Sequence, residues 1–225
     1  MKRQALVVLM IGGFLSAYAK DWNFTSPDGC VQVTVSDEGG KPSYSVSYNG
    51  TAFLERSPLG LITDIGDYSQ NVSLGADMKI SKVDETYSLP TIKQSTVHYE
   101  ATEAICPVLQ EGKQVYDIVF RVSNRDVAFK YKLYPKGNTL CCMVKEEKTG
   151  FVLPEGTTTF LCPQAKPNGG FARTYPSYET SYTPDDAMGK NGWGEGYTFP
   201  CLFKNADKGW ILLSETGVDL SLIHI

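Results

Sequence analysis

The sequence predicts an all-β protein, an antiparallel β-sandwich. Period-two alternation recurs in short segments, turn residues separate those segments about every 8–12 positions, and no window of helical length has an apolar period of 3.6. Strands of this kind bury one face and leave the other in water.

The first clear pair lies near the start. Val31, Val33 and Val35 alternate with Gln32, Thr34 and Ser36, while Tyr44, Val46 and Tyr48 alternate with Ser43, Ser45 and Ser47. Asp37-Glu-Gly-Gly-Lys-Pro42 between them reads as a turn, so a hairpin is predicted. Strands follow at Ala52–Glu55 and Leu59–Ile62, with Ser57-Pro58 expected to break the ladder because proline has no N–H to donate.

Further strands are predicted at Met78–Val83, Ser95–Glu103, Val115–Val122, Val127–Leu133 and Thr139–Lys145. Leu89-Pro90, Glu111-Gly112, Asn124-Arg-Asp126 and Lys136-Gly-Asn138 punctuate them. In Val127–Leu133 the row Phe129, Tyr131, Leu133 faces inward and Lys130 and Lys132 form the outer face. Thr157–Cys162 is one more strand.

From Pro163 to Glu195 alternation gives way to Pro, Gly, Tyr, Asn and Asp. Segments this long are usually functional or disordered, and Phe171, Tyr175, Tyr178, Tyr182 and Trp193 argue for one that covers a surface or meets a neighbouring domain. Two apolar strands close the series, with Leu202–Phe203 and Trp210–Leu213 expected in the core.

Both ends read as separate from this domain. Lys2-Arg3, the apolar run Ala5–Leu15 and Ala17-Tyr-Ala19 form a signal peptide over residues 1–19, too short to span a bilayer, which takes about 20 apolar residues. Leu220-Ser-Leu-Ile-His-Ile225 matches the translation of a transposase mosaic-end adapter, so residues 220–225 are expected to be an adapter-derived tail and His224 no part of a site. Residues 20–219 remain as one domain of roughly 200 residues. The mature protein is expected to be exported, to a bacterial periplasm or the medium.

A net charge of −4, with 21 Lys and Arg interspersed among 25 Asp and Glu, leaves no basic stripe for nucleic acid and no membrane-binding face. The six cysteines (Cys30, Cys106, Cys141, Cys142, Cys162 and Cys201) allow 15 pairings. No Cys-x-x-Cys occurs, which argues against a thiolate zinc site. Cys141 and Cys142 adjoin in a predicted strand and point to opposite faces, so they do not pair with each other. Buried or half-buried thiols, with at most one disulfide, are expected.

An ordered series of segments resembles the N-terminal β-sandwich domain of glycoside hydrolase family 97. It comprises Ser26-Pro-Asp-Gly29, Tyr44-Ser-Val-Ser-Tyr-Asn-Gly50, Ser57-Pro-Leu-Gly-Leu61, His98-Tyr99, Val119-Phe-Arg-Val122 leading into Val127-Ala-Phe-Lys-Tyr131, Gly192-Trp-Gly-Glu-Gly-Tyr-Thr-Phe-Pro-Cys-Leu-Phe203, and Gly209-Trp-Ile-Leu-Leu-Ser-Glu-Thr-Gly217. The resemblance implies a galactose-mutarotase-like β-super-sandwich packed on a (β/α)8 barrel that hydrolyses α-linked oligosaccharides. It implies an α-glucosidase or α-galactosidase whose catalytic carboxylates lie in the barrel, beyond this chain. It also implies a Ca²⁺ ion near the active site, with Glu179 of Pro176-Ser-Tyr-Glu179 as the one ligand from this domain. Asp185, Asp186 and Glu195 share that stretch.

The residues agree that no catalytic pair resides here. Glycoside hydrolysis needs two carboxylates facing across a bond, and Glu146-Glu147 and Asp185-Asp186 are adjacent pairs, expected as solvated charges. His98 is expected as a hydrogen-bonded strand residue. Trp193, between Gly192 and Gly194, is read as packing on the barrel in preference to stacking on a sugar. Beside the support domain of a glycosidase stands a second class, a free-standing carbohydrate-binding or adhesion sandwich.

Overall fold

The computed structural model describes residues 19–91, 93, 95–134, 142–163, 185–187 and 197–215. Residues 1–18 of the predicted leader, Cys141, Glu179, Trp193, Glu195 and the tail 220–225 lie outside them. Among the described residues no helix is long and apolar enough to cross a membrane.

The first sheet has the order β1-β2-β3-β4, with β1 Asp21–Thr25, β2 Val31–Ser36, β3 Ser43–Tyr48 and β4 Thr51–Pro58, all antiparallel. Val31, Val33 and Val35 are buried as their alternation predicts. The chain enters this sheet at Lys20, whose backbone N–H donates to Asp37 Oδ1 at 2.7 Å and whose ammonium reaches the carbonyls of Gly75 and Ala76. Pro58 does not break the ladder as expected: β4 runs through it, with Pro58 opposite Ser43. β4 is an outer strand, where a missing N–H costs no ladder bond, and the Pro58 carbonyl still accepts from Gly150 N–H at 3.0 Å.

After the short β5 (Leu61–Thr63) and β6 (Ser73–Leu74), a long meander forms the second sheet. β7 Lys79–Ser88, β8 Thr96–Gln110, β9 Lys113–Ser123 and β10 Val127–Leu133 pair in sequence order, with β6 also on β8. Glu111 and Gly112, both at positive φ (52° and 73°), make the two-residue turn between β8 and β9. β7 buries none of its side chains, so it is held by its ladder to β8 and not by a hydrophobic face.

The two sheets face each other across one core. Phe24 and Tyr44 from the first sheet meet Phe120 and Phe129 from the second, with ring centroids 5.1–6.1 Å apart and tilted planes. Such pairs contribute about 0.5–1.5 kcal/mol beyond the burial of their surface. Tyr116 and Tyr131 extend the cluster toward the connection carrying β5, where the Tyr131 hydroxyl accepts the Gly60 N–H at 3.0 Å. Gly60 has φ +130°, and a Cβ there would lie 2.6 Å from Ser69 Cα.

The predicted strand Thr139–Lys145 is displaced. β11 is Val144–Glu147, paired with β5, and Cys142 lies before it, outside any strand. The segment is drawn forward because it pairs with β5 around a bulge, a partner the local sequence does not reveal. A last antiparallel sheet has the order β13-β12-β14-β15, from β12 Thr157–Pro163, β13 Asp186–Ala187, β14 Tyr197–Asn205 and β15 Gly209–Leu213. Cys201 and Phe203 of β14 are buried as expected, but Trp210 and Leu212 of β15 are 58% and 62% exposed, against the expectation of a core strand. Ile211 and Leu213 face the protein and are only half-buried.

Candidate functional site

The densest group of chemically active side chains sits on the exposed ribbon made by β7 and β8. Antiparallel register places Asp84 opposite Glu100 and Thr86 opposite His98, so Lys82, Asp84, His98 and Glu100 share one face of the ribbon. His98 Nε2 lies 2.7 Å from Asp84 Oδ1, and Lys82 Nζ lies 3.0 Å from Asp84 Oδ2 and 2.9 Å from Glu100 Oε1. The hydrogen bond from His98, then that from Lys82, holds the Asp84 carboxyl below its ordinary range. The contact to Glu100, followed by Asp84, holds the Lys82 ammonium above its own.

One donor atom from each of Asp84, His98 and Glu100 falls within 4.8 Å of the others. A nitrogen with two carboxylates is a zinc-like donor set and not the oxygen-only cage of calcium. The Lys82 ammonium already bridges the two carboxylates. His98 is thus a hydrogen-bonded strand residue, as expected. Its partners Asp84, Lys82 and Glu100 escaped notice in the sequence; the signal is charge at alternate positions of two neighbouring strands, which becomes a cluster only once the register is known.

Glu146 and Glu147 do not form a catalytic pair. Consecutive strand residues point to opposite faces: Glu146 is exposed and paired with Lys148, while Glu147 turns inward, half-buried. Glu147 Oε1 is buried without a hydrogen-bond partner. Burial raises the Glu147 carboxyl above its usual value, nearby Glu215 adds to the rise, and the Thr149 hydroxyl opposes it.

Asp185 is exposed and bonds Thr158 Oγ1 at 3.1 Å and Lys204 Nζ at 3.2 Å, the lysine first among the causes that lower its carboxyl. These contacts are those of an outer-face salt bridge. Cys30, Cys106, Cys142 and Cys201 are free thiols. Burial pushes Cys106 up to about 12, which leaves it un-ionised and unreactive.

The remaining feature is apolar. β15 and its neighbours present Phe160, Phe199, Trp210 and Leu212 outward, each more than a third exposed. Leu212 and Leu213 also line a cleft with Tyr44 and Phe129, which ties this strand to the central core.

Residues 24–221 match the family model described as Glycosyl-hydrolase 97 N-terminal. The chain belongs to this family. A family 97 crystal neighbour, a β-arabinopyranosidase, is 47% identical with a TM-score of 0.81, over 89% of this chain and 32% of that one. A "probable retaining alpha-galactosidase" of Streptomyces bingchenggensis (strain BCW-1) is 30% identical over 168 residues, 72% of this chain and 26% of that protein. A family 97 enzyme of Pseudoalteromonas sp. strain K8, solved in complex with panose, shares the fold at 21% identity and a TM-score of 0.65, over 82% of this chain and 27% of that one. The family 97 chain described here thus spans about a quarter to a third of the length of these relatives. The all-β sandwich and the family are as the sequence predicts.

Proposed function

We propose that this chain is the N-terminal support domain of an exported family 97 glycosidase, packing on a (β/α)8 barrel that carries the catalytic carboxylates. The observation that carries the reading is the 47% identity to a β-arabinopyranosidase over 89% of the chain, with a second relative described as a retaining α-galactosidase. These two activities have a shared stereochemistry. In the L series a β-arabinopyranoside has the ring configuration of an α-D-galactoside and lacks only the exocyclic hydroxymethyl group.

The parent enzyme is accordingly a retaining hydrolase of sugars with the galactose ring configuration, which narrows the choice between glucosides and galactosides. Retention requires a nucleophilic carboxylate and an acid/base carboxylate close together on the barrel. The role of this domain is to hold that barrel, and the opposed directions of Glu146 and Glu147 support a non-catalytic part.

Calcium belongs to the same reading through Glu179. One carboxylate falls short of the 6–8 oxygens calcium takes, so Glu179 contributes a ligand that the barrel completes. Asp84, His98 and Glu100 are unsuited to that role, since His98 offers nitrogen and Lys82 competes for both carboxylates.

The test compares p-nitrophenyl β-L-arabinopyranoside, α-D-galactoside and α-D-glucoside as substrates of the full-length enzyme. The expected kcat/KM for the better of the first two exceeds that for the glucoside at least 100-fold; a preference for the glucoside overturns the substrate assignment. Turnover by the 225-residue chain alone, lost in a Glu146→Gln/Glu147→Gln variant, overturns the support role.

A further inference from the structure

Among the described residues β15 pairs with a strand on one side only. A strand at such an edge presents a row of N–H and C=O groups, and proteins that leave an edge in water blunt it with charge, proline, a bulge or extreme shortness. The other outer strands here follow that rule. β1 carries Asp21, β4 carries Glu55, Arg56 and Pro58, β7 alternates Lys and acidic residues, and β10 carries Lys130 and Lys132, while β6 and β13 have two residues each.

β15 has none of these devices. Gly209-Trp-Ile-Leu-Leu213 is uncharged and free of proline, and it pairs with β14 through five consecutive partners without a register shift. Its side chains are apolar on both faces, Trp210 and Leu212 outward and Ile211 and Leu213 inward, the last two only half-buried. A flat, bare, apolar edge of this kind is what an interior strand looks like when one neighbour has been removed.

We propose that in the full-length enzyme the open edge of β15 takes up one further strand, supplied by the chain that follows this segment. This rests on the reading of the chain as part of a longer family 97 enzyme. Two observations select that occupant over a separate partner. Relatives carry two-thirds or more of their length outside the matched region, and β15 ends two residues before Glu215, so the continuing chain emerges beside the edge it would cover. The added strand carries apolar side chains on both faces, completing burial of Ile211 and Leu213 on one and covering Trp210 and Leu212 on the other.

Hydrogen exchange tests this directly, because alternate amides of β15 point away from β14. In the full-length enzyme those amides are expected to exchange at least 100-fold more slowly than in the 225-residue chain. Equal exchange in the two proteins overturns the proposal. So does protection in the 225-residue chain that rises with its concentration alongside dimers in light scattering, which gives the edge to a second copy. Leu212→Lys is expected to lower the Tm of the full-length enzyme and leave that of the 225-residue chain unchanged; an equal effect in both counts against a covering strand. Glycosidase activity separates the two readings. An active full-length enzyme with unprotected β15 sinks the edge proposal alone, whereas a folded full-length protein inactive on every glycoside sinks the enzyme reading whatever β15 does.

Discussion

Asn205 Nδ2 donates to the Ala52 carbonyl at 2.9 Å across 153 positions of sequence, and Asn205 is 1% exposed. The bond joins β14 of the last sheet to β4 of the first. A buried amide in this position has a consequence for stability, because removing it leaves a carbonyl with no donor and opens a void between the sheets.

Asn205→Ala is therefore expected to cost about 1–3 kcal/mol. For a domain of this size that is a fall in Tm of roughly 2–10 °C. Hydrogen exchange of β14 and β15 rises more than that of β8 and β9, which lie in a separate ladder. A thermal melt with unchanged midpoint refutes the joining role.

Tyr131→Phe tests the core in the same way. The Tyr131 hydroxyl accepts the Gly60 N–H at 3.0 Å and lies 2.6 Å from the Thr149 hydroxyl. Phenylalanine keeps the ring packing and strands the buried N–H, so the expected loss is about 1–3 kcal/mol, read by urea unfolding. A Thr149→Val variant, which leaves the Gly60 bond intact, is expected to lose less; the reverse order contradicts this account.

The Glu147 carboxyl predicts a pH dependence of definite sign. Burial raises its folded value above the unfolded value of about 4.3, so its contribution to stability is full below the unfolded value and is lost as pH rises through the folded one. Glu147→Gln removes that loss. The variant is expected to match wild type in urea at pH 3.5 and to exceed it at pH 8 by on the order of 0.5 kcal/mol, discounted because the group is only half-buried. A variant less stable than wild type at pH 8 reverses the sign and refutes the assignment.

Glu179→Gln addresses calcium in the full-length enzyme. The expected outcome is a calcium requirement for activity raised about tenfold, with the Tm in excess calcium near that of wild type. An unchanged calcium titration removes Glu179 from the ligand set. In the 225-residue chain the substitution is expected to shift stability by no more than about 0.5 kcal/mol, as surface changes do.

The residues alone determined that this is an antiparallel sandwich. Val31, Val33 and Val35 are buried by their period, Glu111-Gly112 turns where two positive φ angles are needed, and Phe129 and Tyr131 face inward opposite their lysines. Periodicity is local, so it reads true wherever one face meets a core. Tertiary structure decided what local pattern does not encode. It set which strands are neighbours, and hence that Asp84 reaches His98 and that β11 begins at Val144 beside β5. It let Pro58 stay in an outer strand, and it turned Glu147 inward while leaving Glu146 in water. Above all it left Trp210 and Leu212 exposed on a strand whose composition belongs to an interior, because burial depends on what lies across the sheet as well as on the residues within it.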